Sequence, residues 1–155
     1  MAMREDLAII LGKTDGFILE FQGDSVFAVW PPGFVGPSSV AHAIRAAELA
    51  ARMFSARGDR GAAPIGVAFH TGTAFIGTVS AAGGKMQGIS AFGLEVNILA
   101  RLAAAARPGE VLVSAATYAA AGLPMPPDGR RQEVLKGVDT SVEVASLSPA
   151  VAIAP

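Results

Sequence analysis

Asn97 and Arg101 are the residues of this chain best suited to chemistry. They lie four apart in the stretch Ser90-Ala91-Phe92-Gly93-Leu94-Glu95-Val96-Asn97-Ile98-Leu99-Ala100-Arg101-Leu102. In a helix that spacing puts an amide and a guanidinium on one face. The guanidinium offers a planar fork of donors to phosphate oxygens, and the amide both donates and accepts. On an otherwise apolar helix such a pair must aim at something polar. Helix geometry alone leaves a second reading open, a surface strip or an internal hydrogen-bond pair. Asp24, in Gly23-Asp24, reads by itself as an ordinary turn aspartate. Glu20 reads by itself as an exposed strand carboxylate. His70 reads as a partly buried histidine at a strand end, since no triad or ligand set accompanies it in the sequence.

These residues need particular elements to hold them. Phe92-Gly93 reads as a strand end and a glycine turn, and 94–102 as a helix apolar nearly all round, hence buried. Phe17–Gln22 and Val26–Trp30 read as a β-hairpin with Asp24 at its tip. Ser38-Ser39 caps a helix to about Arg57, stopped by Gly58. Ile65–Phe69 and Ala74–Gly77 read as strands flanking the turn His70–Thr73. Ser80–Gly88 is a glycine-rich loop without phosphate-loop spacing. Val111–Ser114 is a strand, Ala115–Ala121 a short helix, and Val134–Gly137 and Val142–Val144 closing strands. Leu7–Leu11 is apolar and helical, closed by Gly12, and Pro31–Pro37 is a loop. The interleaving gives an α+β fold, a ferredoxin-like antiparallel sheet with helices packed on one face.

Composition narrows the classes. The chain has 155 residues, 52% of them apolar, enough for one domain with a core. A net charge of −1 gives nucleic acid no electrostatic handle. The absence of cysteine excludes disulfides, thiol catalysis and cysteine-based zinc sites. No apolar run is long enough to span a membrane, and the N-terminus lacks the form of a signal peptide, so a cytoplasmic setting is expected.

Gly93-x-x-Val96-Asn97-x-x-x-Arg101-Leu102 resembles a signature of class III nucleotidyl (adenylate/guanylate) cyclase catalytic domains. Glu20–Trp30 resembles the Gly-Asp hairpin of the same family, and His70-Thr71-Gly72 with Gly77 its His-Thr-Gly hairpin. Pro108-Gly109-Glu110 with the following strand also matches. The similarity runs from about Phe17 to Leu147. It implies that Asn97 orients the ribose and Arg101 stabilises the transition state as a 3′-hydroxyl attacks the α-phosphate. It implies that Asp24 is one of two carboxylates for Mg or Mn, and that Glu20 and Ser90 contact the purine. Glu20 matches the guanine-type residue, whereas Ser90 matches neither type. Leu94 departs from the family, which carries Asp after the glycine. No segment of Met1–Asp15 matches the Phe-x-Asp-x-x-Gly-Phe strand that carries the second carboxylate.

The expected organisation is a helix remnant over 1–15, a cyclase-like domain over 16–147, shortened at its N-terminus, and a flexible tail over 148–155. The implied activity converts ATP or GTP to a 3′,5′-cyclic nucleotide and pyrophosphate for second-messenger signalling. The alternative is a catalytically inactive cyclase-like module for dimerisation or nucleotide sensing. The expected partners are a purine nucleoside triphosphate and a second cyclase domain, in a homodimer or heterodimer with sites across the interface.

Overall fold

A computed structural model describes residues 2–22, 25–57, 65–81, 86–135, 137 and 141–147, with side chains described except at 2–4, 20–22, 25, 55–57, 78–81 and 86–90. Helix α1, Ala2–Thr14, is followed by the hairpin β1 (Phe17–Gln22) and β2 (Ser25–Val29). Then come α2 (Pro32–Val35), α3 (Ser39–Arg57) and β3 (Val67–Phe69). A second hairpin joins β4 (Phe75–Ala81) to β5 (Met86–Phe92) and leads into α4 (Leu94–Ala105). The chain closes with β6 (Val111–Ser114), α5 (Ala115–Ala121), β7 (Arg130–Glu133) and β8 (Val142–Ser146).

Four strands form the central sheet in the order β3-β6-β8-β7. The β3–β6 pair is parallel and the other two pairs are antiparallel. Side chains alternate across this sheet, as strand geometry requires. Val111, Val113 and Ala145 point to one face and join Ile44, Ala47 and Ala50 of α3, with Ile10 of α1 and Tyr118 of α5. Leu112 and Val144 point to the other face and join Ile98 and Leu102 of α4. The fold is α+β with α1, α3 and α5 gathered on one face of the sheet, and α4 adds a layer on the opposite face. That second layer makes β6 and β8 central, and Val111–Ser114 is buried throughout.

Several boundaries differ from the sequence expectation. Helix α1 runs through Gly12 to Thr14. It ends where Asp15 adopts a left-handed φ of 61° and the Gly16 N–H donates to the Leu11 carbonyl (3.3 Å). Pro32, at a helical first turn that needs no N–H, starts the short α2 in the expected loop. The strands expected to flank His70–Thr73 do not pair with each other. β3 pairs with β6 and β4 pairs with β5, which extends both β4 and β5 into the expected glycine loop. β7 lies at Arg130–Glu133, ahead of the expected Val134–Gly137, and Val134 is exposed. The β1–β2 register shifts between Ile18 and Glu20, a bulge that interrupts the alternation just before Glu20.

Candidate functional site

Helix α4 is the element that carries Asn97 and Arg101. It starts at Gly93, whose φ of 132° is closed to side-chain-bearing residues, so the chain turns sharply from β5 into the helix. The Asn97 N–H then donates to the Gly93 carbonyl (3.2 Å). Ile98 and Leu102 bury one side of the helix against the sheet. Asn97 and Arg101 lie exposed, and among the described residues neither side chain has a hydrogen-bond or ion-pair partner. The internal pair that helix geometry left open is therefore not formed. Nor is the helix buried all round: Leu94 is 64% exposed, because α4 covers the sheet with one side only. Arg101 reaches towards Gly137, where a Cβ would lie 3.8 Å from its Nη2.

The remaining predicted site residues lie on the hairpins. Glu20 is on β1, in register with Phe27 of β2, and Ser90 is on β5, in register with Gly77 of β4. β1 packs beside β5. The side chains of Glu20 and Ser90, and the whole of Asp24, lie outside the described residues. Asp6 is buried in α1, and Asp15 at its end faces His42 (Oδ2 to Nδ1, 3.5 Å). Among the described residues no group of three His, Asp or Glu is placed to hold a metal ion. They do not make a site for Mg or Mn.

Sequence reasoning missed the surroundings of His70. Its Nδ1 lies 2.7 Å from Ser114 Oγ, and its Nε2 is bonded to Glu95 Oε2. Ser114 Oγ lies 3.1 Å from Thr117 Oγ1, and Thr71 Oγ1 donates to Thr117 Oγ1 (3.0 Å). Serine, histidine and glutamate are the types of a hydrolytic triad. Here Ser114 is 0% exposed, which closes it to any substrate. The network joins β3, β6, α5 and α4, and its partners stand 25 and 44 residues from His70, beyond any local sequence signal. Glu95 also sits one residue after Leu94, the position where the resembling family carries Asp. The carboxylate in this turn is thus Glu95, pointing inwards, while Leu94 faces out.

The second histidine also has a structural post. His42 Nδ1–H donates to the Thr14 carbonyl (3.1 Å), the Trp30 Nε1–H donates to Thr14 Oγ1 (3.2 Å), and Thr14 Oγ1 donates to the Ile10 carbonyl (2.7 Å). These bonds tie α3 and the end of β2 to the last turn of α1.

Solved structures with the same fold are cyclase domains. The guanylyl cyclase Cya2 superposes with a TM-score of 0.65 at 22% identity, over 92% of this chain and 78% of that one. The adenylyl cyclase CyaB from P. aeruginosa gives 0.58 at 22% identity, over 93% and 76%. The dimeric guanylyl cyclase domain of the RhoGC fusion protein from the aquatic fungus Blastocladiella emersonii gives 0.64 at 18% identity, over 94% and 79%. No protein-family model matches the sequence, and no curated protein matches it. The chain has the fold of the class III adenylyl/guanylyl cyclase catalytic domain. Among the described residues no helix is long and apolar enough to cross a membrane.

Proposed function

We propose that residues 16–147 are a class III nucleotidyl cyclase domain. It converts ATP or GTP to the 3′,5′-cyclic monophosphate and pyrophosphate, in the cytoplasm, for second-messenger signalling. The observation that carries this reading is the placement of Asn97 and Arg101. On a cyclase fold, the two polar side chains of the signature helix stand exposed and unpaired among the described residues, ready to meet a ligand. Arg101 answers the charge that develops on the phosphate oxygens, and Asn97 orients the ribose. Glu20 and Ser90 contact the purine, with Glu20 favouring guanine through its N1–H and amino group. Asp24 is this chain's ligand for Mg or Mn, and one carboxylate falls short of a two-ion site. The active form is a dimer with a second cyclase domain.

Cyclic nucleotide formation by the dimeric protein tests this reading. Arg101→Ala is expected to lower turnover by about 10²–10³ while the unfolding temperature stays at the wild-type value. Calorimetry with GTP and ATP adds the specificity, and Glu20→Lys is expected to shift binding from GTP towards ATP. A wild-type dimer that makes no cyclic nucleotide overturns the enzymatic reading. The non-catalytic module is the second reading, favoured by the engagement of Asp6 and Asp15 within α1 and its end. Binding of a nucleotide without turnover would establish it.

A further inference from the structure

We propose that His70, Glu95 and Gly72 are positioning residues that set the first turn of α4, and through it the placement of Asn97 and Arg101. The inference rests on the assignment of those two residues to the site, and adds to it the device that holds them.

The argument starts from hydrogen-bond direction. With the His70 proton on Nε2, every polar group in the network donates to the next. Thr71 Oγ1 donates to Thr117 Oγ1, Thr117 to Ser114, Ser114 to His70 Nδ1, and His70 Nε2–H to Glu95. The run therefore begins at half-buried Thr71 after β3, passes through the fully buried Thr117 and Ser114, and ends on a carboxylate in the first turn of α4. Buried polar groups satisfied in this way are rigid, since breaking one link strands the next. Glu95 is well placed to transmit that rigidity. It lies two residues before Asn97 and six before Arg101 on the same short helix. Gly93 at the helix start has a φ of 132° and no side-chain cap, so among the described residues the bond from His70 to Glu95 is the side-chain hydrogen bond that ties this turn down.

Gly72 supplies the independent observation. A Cβ built there would stand 2.6 Å from Glu95 Oε2, with Glu95 Cγ nearer still. Its φ is not in the left-handed region, so backbone freedom does not explain the glycine. What it provides is room: the Glu95 side chain crosses the backbone at Gly72 to reach His70. A methyl group would displace the carboxylate from the imidazole.

The test compares wild type with Gly72→Ala, Glu95→Ala and Glu95→Gln. Hydrogen exchange of the amides of 97–100, the first that are bonded within the helix, is the first readout, and kcat and KM for cyclic nucleotide formation are the second. In Gly72→Ala and Glu95→Ala, exchange in the first turns of α4 is expected to quicken at least about tenfold while β6 and β8 keep their protection. In the same variants kcat is expected to fall about tenfold to a hundredfold with KM changed less than about threefold. Glu95→Gln keeps an acceptor for His70 Nε2–H, and is expected to restore both readouts to near wild type. Unchanged exchange in both alanine variants overturns the proposal, as does a Gln variant no better than Ala. If wild type makes no cyclic nucleotide, the cyclase reading fails by itself, and the exchange comparison with its Gln rescue still decides the positioning role.

Discussion

At Glu110 a single carboxylate holds three elements together. The Arg131 guanidinium of β7 donates to both oxygens (2.6 and 2.8 Å), Ser146 Oγ of β8 donates at 2.6 Å, and the Arg107 N–H donates at 3.0 Å. Chiefly through the Arg131 hydrogen bonds, and against the cost of burial, the carboxyl is held down at about 2 from its ordinary 4.5. A carboxylate whose folded value is depressed stabilises the protein above its unfolded value and loses that contribution as pH falls through the folded one. The drop from 4.5 to about 2 corresponds to roughly 3 kcal/mol. Denaturant unfolding is expected to show that loss between pH 4.5 and 2 in wild type, and to lack it in Glu110→Gln. A variant curve with the same acid slope as wild type would refute the assignment. The sequence shows Pro108-Gly109-Glu110 as a turn into a strand but not this role, because Arg131 is 21 residues away and lies in a charged run that does not read as a strand. The same holds for His70. Its type and strand-end position are legible, and its partners are not.

The elements divide by how local their signals are. The α3 stripe, the β1–β2 hairpin, the buried run Val111–Ser114 and the glycine start of α4 are written in short-range periodicity and turn chemistry, and the structure has them where the pattern puts them. The pairing of β3 is written elsewhere. The segment after β3 is drawn towards β6 and α5 by the His70–Ser114 and Thr71–Thr117 bonds, so it does not fold back as a hairpin. β7 was hidden for a related reason: an edge strand carrying Arg130-Arg131-Gln132-Glu133 has the charges of a solvent-facing rim and none of the alternation of a core strand. Its entry depends on Gly129, which has a φ of 79° and whose Cβ would stand 2.5 Å from the Ser146 carbonyl. Gly129 also accepts the Ser146 N–H at 2.8 Å. Gly129→Ala is thus expected to cost more than about 1 kcal/mol, from the left-handed backbone and the close approach together. Thermal unfolding measures it, and an unchanged midpoint would show that the β7–β8 junction adapts freely.

At the scale of the molecule, large apolar side chains are exposed on several elements among the described residues, from α1 to the segment after β7. Phe75 is 70% exposed, and it stacks with Phe92 at a centroid distance of 6.4 Å across the β4–β5 pair. Leu94 is exposed at the adjoining start of α4, while Ile76, next along the strand, is exposed on the opposite face of β4. An exposed aromatic pair beside the start of α4 suits the contact surface that the proposed dimer needs. Those elements are the ones that lead into Asn97 and Arg101, so a second cyclase domain seated there would lie against the site, as the proposed dimer requires. Burying a phenylalanine is worth about 1.5–3 kcal/mol, so placing a charge at its centre should weaken association at least tenfold. Phe75→Glu is expected to convert the dimer to monomer in sedimentation equilibrium at micromolar protein, with its far-ultraviolet circular dichroism unchanged because the residue leaves the core untouched. Cyclic nucleotide formation should fall with the dimer fraction and recover as protein concentration rises. A Phe75→Glu protein that stays dimeric at every concentration would move the interface away from β4 and β5, and with it the expectation that two subunits share each site.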